Sequence, residues 1–153
     1  MTRVYVMGRY TADNVIDVLA NIRKGITASV EVAQAGFAVF CPWLDHHLAF
    51  HADLPLEWYR ANSMEWLRCS DVCLLLPGWE NSVGVREELK VASELGIPVM
   101  DTVDDLVRWE QGQPRESYVC VQCGHRWTVD WGVCPDCKSA QFSVVEKRHA
   151  LAL

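Results

Sequence analysis

Two stretches of the 153-residue chain combine residue types and spacings that can do chemistry. In the first, Cys120-x-x-Cys123 and Cys134-x-x-Cys137 flank residues 124–133. Each pair can form a knuckle that presents two thiolates to one tetrahedral ion, and four Cys ligands leave no open coordination position. The spacing predicts a structural zinc held by Cys120, Cys123, Cys134 and Cys137, in preference to a redox dithiol pair or a rubredoxin-type iron site. Gly124 and Pro135 are the tight-turn residues a knuckle uses, and 126–129 reads as a strand of a zinc ribbon. His125 is read as exposed rather than as a ligand.

The second stretch runs Leu76-Pro77-Gly78-Trp79-Glu80-Asn81-Ser82-Val83-Gly84-Val85-Arg86-Glu87-Glu88. Asn81 or Ser82 can cap a helix there, which turns the free amides and positive dipole end of its first turn toward a ligand. A helical side chain leans back over the preceding turn, so Glu88 lies over Gly84 and its carboxylate is uncovered on that side, while Glu87 leans over Val83. Arg9 and Arg86 flank the expected pocket and could hold a 5′-phosphate by charge-assisted contacts, with surface ion pairing as the plainer alternative. His46, His47 and His51 with Asp45 and Asp53 have metal-ligand composition, but without a fixed scaffold a ligand-covering loop is the preferred reading.

These side chains need a scaffold, and the hydrophobic pattern supplies one. Arg3 to Gly8 reads as a strand, the apolar spacing from Val15 to Val30 as a helix ending at Gly36, and Phe37 to Phe40 as a second strand stopped by Pro42. Trp43 to Pro55 has no clear period and is expected to be a long loop. Leu56–Cys69 (helix), Val72–Leu76 (strand), Val83–Leu95 (helix closed by Gly96), Ile97–Met100 (strand) and a short helix around Leu106 follow. This alternation predicts an α/β fold: a small flavodoxin/Rossmann-like parallel sheet with helices on both faces, ligands beyond the carboxyl ends of its strands, and a four-cysteine zinc ribbon appended at the C-terminal end. The expected organisation is an α/β domain over 1–110, a linker over 111–117, the ribbon over 118–146 and a tail over 147–153.

A net charge of −6 and a pI near 5.3 argue against nucleic acid as a partner, because phosphate backbones are held by clustered Lys and Arg. The first residues enter a strand without a signal-like segment and no apolar run approaches a membrane span, so a soluble, cytoplasmic protein is expected. Cys41, Cys69 and Cys73 are then reduced thiols filling the core. Trp58, Trp66 and Trp109 read as packing or interface residues, and Trp79 as a wall of the pocket.

The motifs Val4-Tyr5-Val6-Met7-Gly8-Arg9-Tyr10-Thr11, Leu76 to Ser82, Gly84 with Glu88 and Ala92, and Gly96-Ile97-Pro98-Val99 resemble the nucleoside 2-deoxyribosyltransferase-like superfamily, which includes deoxynucleotide N-hydrolases. The resemblance spans residues 3 to 100. It implies that Glu88 is the nucleophile on the sugar's anomeric carbon, that Tyr5 positions it, and that a nucleoside or nucleotide is bound by Gly8, Arg9, Tyr10, Gly78, Trp79, Asn81, Ser82, Gly84 and Arg86. It also implies a homo-oligomer. A carboxylate can trap an oxocarbenium-like centre as a glycosyl-enzyme, which water or a second base resolves. The chain departs from the pattern at Ser63, where many members carry an Asp that assists the leaving base. Asp45, Asp53, Glu57 or Glu80 could serve instead, whereas Asp71 begins a strand at the wrong end of the sheet. The competing readings are a nucleotide-binding module without turnover and an interaction protein acting through the ribbon.

Overall fold

The computed structural model describes residues 1–112, 115–123, 126–127 and 137–148. The chain divides into two units, 1–107 and 108–153. In the first, strands β1 (Arg3–Met7), β2 (Ala38–Phe40), β3 (Val72–Leu75) and β4 (Val99–Met100) form a parallel sheet in the order β2-β1-β3-β4. Helices α1 (Val15–Gln34), α2 (Leu56–Arg68) and α3 (Val83–Leu95) make the crossovers, and α4 (Val103–Gly112) follows β4.

From β1 the chain steps outward to β2 and then back past β1 to β3. With right-handed crossovers, that reversal puts α1 on one face of the sheet and α2 with α3 on the other. Side-chain alternation along the strands agrees. Tyr5 and Met7, with Cys73 and Leu75, share a cluster with Leu67 of α2 and with Val85 and Ala92 of α3. The intervening Val4, Val6, Val72 and Leu74 are equally buried on the opposite face. The central strands are therefore apolar on both faces, as a sheet covered on both sides requires.

Two helices of the sheet unit have a local cause. Asn14 caps α1 by accepting a hydrogen bond from the Asp17 amide at 2.9 Å. Ser82 caps α3 through the Val85 amide at 3.4 Å, and Gly96 ends it in the left-handed region with φ of 68°, where a side chain would be strained. The Ile97 amide returns to the Ala92 carbonyl at 2.9 Å and aims the chain into β4.

One expectation needs correcting. The stretch after β2 is not an irregular loop: Pro42–Phe50 forms 3₁₀ helix, with Pro42 in its first turn. Its tighter winding leaves no 3.6-residue apolar period to read in the sequence. Trp43 anchors it, almost fully buried. The Trp43 ring occupies the space a Cβ at Gly25 would need, 2.1 Å from the ring, and its indole nitrogen donates to the Arg9 carbonyl at 3.4 Å.

In the second unit, β5 (Arg115–Cys120) pairs antiparallel with β6 (Arg126–Trp127) and β7 (Phe142–Arg148). The expected linker thus contains the end of α4 and the start of β5, and the expected tail contains the end of β7. Among the described residues no helix is long and apolar enough to cross a membrane.

Candidate active site and metal centre

The chain reverses direction in the sheet between β1 and β3, and in such sheets the splayed loops beyond the carboxyl ends of these strands leave a crevice. A cavity of about 670 Å³ lies there. Its wall draws on the loop after β1 (Gly8, Tyr10), the 3₁₀ segment (Asp45, His46), α2 (Tyr59, Arg60, Ser63) and the start of α3 (Asn81, Ser82, Gly84, Glu87, Glu88).

Glu88 is the most perturbed acid of this wall. Its carboxylate Oε1 accepts a hydrogen bond from the Tyr5 hydroxyl at 2.7 Å. Burial pushes the Glu88 carboxyl up to about 7, with a small further rise from the Glu87 charge, and the Tyr5 hydrogen bond works against both. Tyr5 is fully buried in β1. Its phenol is held far above its usual range by burial, by the Glu88 charge and by the bond it donates, with nearby Ser63 opposing the rise. Tyr5 and Glu88 therefore form a hydroxyl–carboxylate pair. Behind it, burial and the same charge raise the Cys73 thiol to about 12, which makes it an inert filler.

Nothing lies within 4 Å of a Cβ built on Gly84. The missing side chain thus leaves open space in the wall one turn before Glu88, as the leaning of helical side chains predicts. Glu87 also lines the cavity, contrary to its expected position away from it, and is exposed.

Of the residues expected to touch a ligand, Gly8, Tyr10, Asn81, Ser82, Gly84 and Glu88 line the cavity. Arg9, Gly78, Trp79 and Arg86 are not part of its wall. Arg9 is turned onto its own loop, its Nε donating to the Thr11 carbonyl at 2.7 Å. Arg86 is an exposed residue of α3. Gly78 sits in an exposed turn with φ of 86°, and Trp79 packs half-buried against the core cluster around Tyr5.

The sequence reading missed Arg60, Tyr59 and Trp43. Tyr59 and Arg60 carried no motif signal. Trp43 could have been found from its partner, since a Gly in mid-helix at position 25 marks close approach by something large. Asp71 lies at the amino end of the sheet as expected, where its Oδ2 accepts from Arg3 Nε at 3.0 Å and its Oδ1 from Nη2 at 2.5 Å. Cys41 and Cys73 are buried, but Cys69, at the end of α2, is exposed and not core filler. The stacked rings of Phe40 and Trp66 continue from Tyr5, with centroids 5.5 Å and 5.1 Å apart, so half-exposed Trp66 does pack.

His46, His47 and His51 belong, among the described residues, to no cluster of three metal-ligating side chains. Among the described residues, only Cys120, Cys123 and Cys137 bring three metal-ligating atoms within 4.8 Å of one another. The Cys120 and Cys137 sulfurs are 3.5 Å apart. A tetrahedral ion with sulfurs at about 2.3 Å sets them roughly 3.8 Å apart, so the cluster can hold a metal ion. Cys134, the fourth expected ligand, lies outside the described residues, as do Gly124, His125 and Pro135.

Fold and site together define a doubly wound α/β protein with a half-buried carboxylate in the crevice at its switch point and, in a second unit, a cysteine cluster that can hold a metal ion. The chain belongs to the family described as domain of unknown function DUF4406, whose sequence model matches residues 2–101. That match covers the sheet and the cavity and ends before Cys120, Cys123 and Cys137. No curated protein matches the chain.

Proposed function

We propose that the protein breaks the N-glycosidic bond of a nucleoside, with Glu88 as nucleophile, as the resemblance to the nucleoside 2-deoxyribosyltransferase-like superfamily implies. The observation that carries this reading is the Tyr5 to Glu88 hydrogen bond of 2.7 Å at the wall of a cavity of about 670 Å³. That volume falls in the range that encloses ligands of nucleoside size. A carboxylate oriented by one fixed donor keeps a lone pair free to attack an anomeric carbon, and the Tyr5 hydroxyl, donating to Oε1, stabilises the charge that returns to Glu88 as it leaves the glycosyl-enzyme.

The charges favour a nucleoside over its 5′-monophosphate. Asp45, Asp53, Glu87 and Glu88 line the cavity against the single arginine Arg60, and the two cations expected to grip a phosphate, Arg9 and Arg86, are not in its wall. Transfer to a second base and hydrolysis share the first half of this chemistry and differ in what enters second. The cysteine cluster is read as a structural zinc site completed by Cys134, and the active form as a homo-oligomer.

Free-base release from a panel of deoxynucleosides, ribonucleosides, their 5′-monophosphates and nicotinamide dinucleotide tests the reading, with and without an acceptor base. Release by the wild-type protein that Glu88→Ala and Glu88→Gln both abolish while staying folded is the expected result. Absence of release from every panel member would leave a binding module.

A further inference from the structure

The cleavage proposed above needs a proton for the departing base, and the position where the resembled superfamily carries its donor holds Ser63, whose hydroxyl is too weak an acid for the role. Four other carboxylates were open candidates. Glu57 and Glu80 do not line the cavity. Asp53 lines it but is exposed. Asp45 lines it, is half-buried, and has its Oδ2 fixed by a hydrogen bond donated from Asn62 Nδ2 at 3.0 Å.

The surroundings of Asp45 fit a base subsite. Tyr10 from the β1 loop and Tyr59 from α2 lie close enough that both Tyr59 and Asp45 raise the Tyr10 phenol, after burial. Tyr59 lines the same cavity, and its hydroxyl is the one buried side-chain polar atom among the described residues without a hydrogen-bond partner. A buried hydroxyl left unpaired costs free energy, which a turn of the ring toward a ligand's polar atom recovers. Aromatic walls with unspent polar groups suit a heterocycle. The 3₁₀ segment that carries Asp45 is pinned by Trp43 against α1 and the β1 loop, so the carboxyl sits on a braced element.

Resting on the glycosidase reading, we propose that Asp45 is the acid that protonates the leaving base. A Glu88 oxygen bonds to the anomeric carbon as the C–N bond breaks. Its electron pair goes to the base, which takes the Asp45 proton on a ring nitrogen or carbonyl oxygen. In the second half, the Asp45 carboxylate takes the proton of the incoming water or second base as that group displaces Glu88, and both acids return to their starting states. Burial raises the Asp45 carboxyl, against the Asn62 hydrogen bond, which favours the protonated form this step requires.

The test uses leaving groups. Wild type, Asp45→Asn and Asp45→Ser are compared on the fastest substrate of the base-release panel and on the pyridinium glycoside of the same sugar, whose leaving group departs as neutral pyridine without a proton. The expected result is a loss of roughly 10²-fold or more on the first substrate and of less than about fivefold on the second, with unchanged thermal midpoints. Equal losses on both would make Asp45 a structural residue and overturn the assignment, as would no loss on either. Wild-type inactivity toward all substrates would instead remove the glycosidase reading on which the assignment rests; Glu88→Gln, inactive toward both in the expected case, separates the two failures.

Discussion

The Tyr5 hydroxyl donates to Glu88 Oε1 across 83 residues of sequence, at 2.7 Å, and joins the first strand of the sheet to the helix after the third. Removing the hydroxyl with Tyr5→Phe deletes a hydrogen bond to an ionised acceptor, an interaction of about 1.5–3 kcal/mol. Base release is expected to fall roughly 10- to 100-fold. Because the bond lowers the Glu88 pKa, the acid limb of the rate profile should also move to higher pH. A rate loss with an unmoved limb would mean that Tyr5 acts on packing alone.

Glu88 also links stability to pH. Its carboxyl is raised from 4.5 to about 7, so the folded state binds this proton more tightly than the unfolded chain. The stability that Glu88 permits is present below about pH 4.5 and is lost as pH rises through about 7, by at most about 3 kcal/mol. Glu88→Gln keeps an acceptor for Tyr5 and cannot ionise. It should therefore be more stable than wild type at pH 8, with the difference closing toward pH 4.5 in parallel thermal melts. A nucleophile must be ionised, so on the pyridinium glycoside, which needs no proton from Asp45, kcat/KM of the wild type should rise about tenfold per pH unit below 7 and level off above it.

The sequence carried this pair unevenly. Glu88 was legible because Gly84 lies one turn before it and the loop ahead of it carries its own cap. The strands and α3 were legible because a two-sided sheet makes apolar runs and because Ser82 and Gly96 mark the helix ends. Tyr5 as a partner was not readable from local pattern, since the contact spans the sheet. The 3₁₀ segment was hidden because its winding gives no 3.6-residue signature. Arg9 and Arg86 lie outside the cavity wall for a related reason: placement near a pocket in sequence does not fix where a long side chain ends, and Arg9 ends on the Thr11 carbonyl.

Trp43 and Gly25 form the brace behind the 3₁₀ segment. A Cβ on residue 25 would meet the Trp43 ring at 2.1 Å, too close for relaxation without moving the indole. Gly25→Ala should cost about 1–3 kcal/mol despite its better helix propensity, as overpacked cores do. Displacing Trp43 also displaces Asp45, so activity per folded molecule should fall as well. Restored stability in the Gly25→Ala, Trp43→Leu double variant, measured by denaturant melts, checks that this contact is the cause.

The cysteine cluster gives a prediction independent of the cavity. Purified protein is expected to carry one zinc ion per chain, and Cys120→Ser or Cys137→Ser should reduce it to a small fraction of that by elemental analysis. Three sulfurs within 4.8 Å are costly to hold together as thiolates without a cation, so a strong chelator should abolish the ordered β5, β6 and β7 signals in NMR spectra. Full metal content after loss of Cys120 would exclude this cluster as the site.

Gly84 separates the needs of the fold from those of the ligand. A methyl group at this position meets nothing within 4 Å, and Ala in place of Gly in a helix gains up to about 1 kcal/mol. Gly84→Ala should therefore melt at or above the wild-type temperature. The same methyl group projects from the cavity wall into the space beside Glu88, where the sugar must sit for its anomeric carbon to reach the carboxylate. KM should rise by at least tenfold, and Gly84→Val should lose turnover altogether while remaining folded. If Gly84→Ala instead binds and cleaves as wild type does, the sugar does not occupy this side of the cavity, and the attack on it by Glu88 would have to be abandoned.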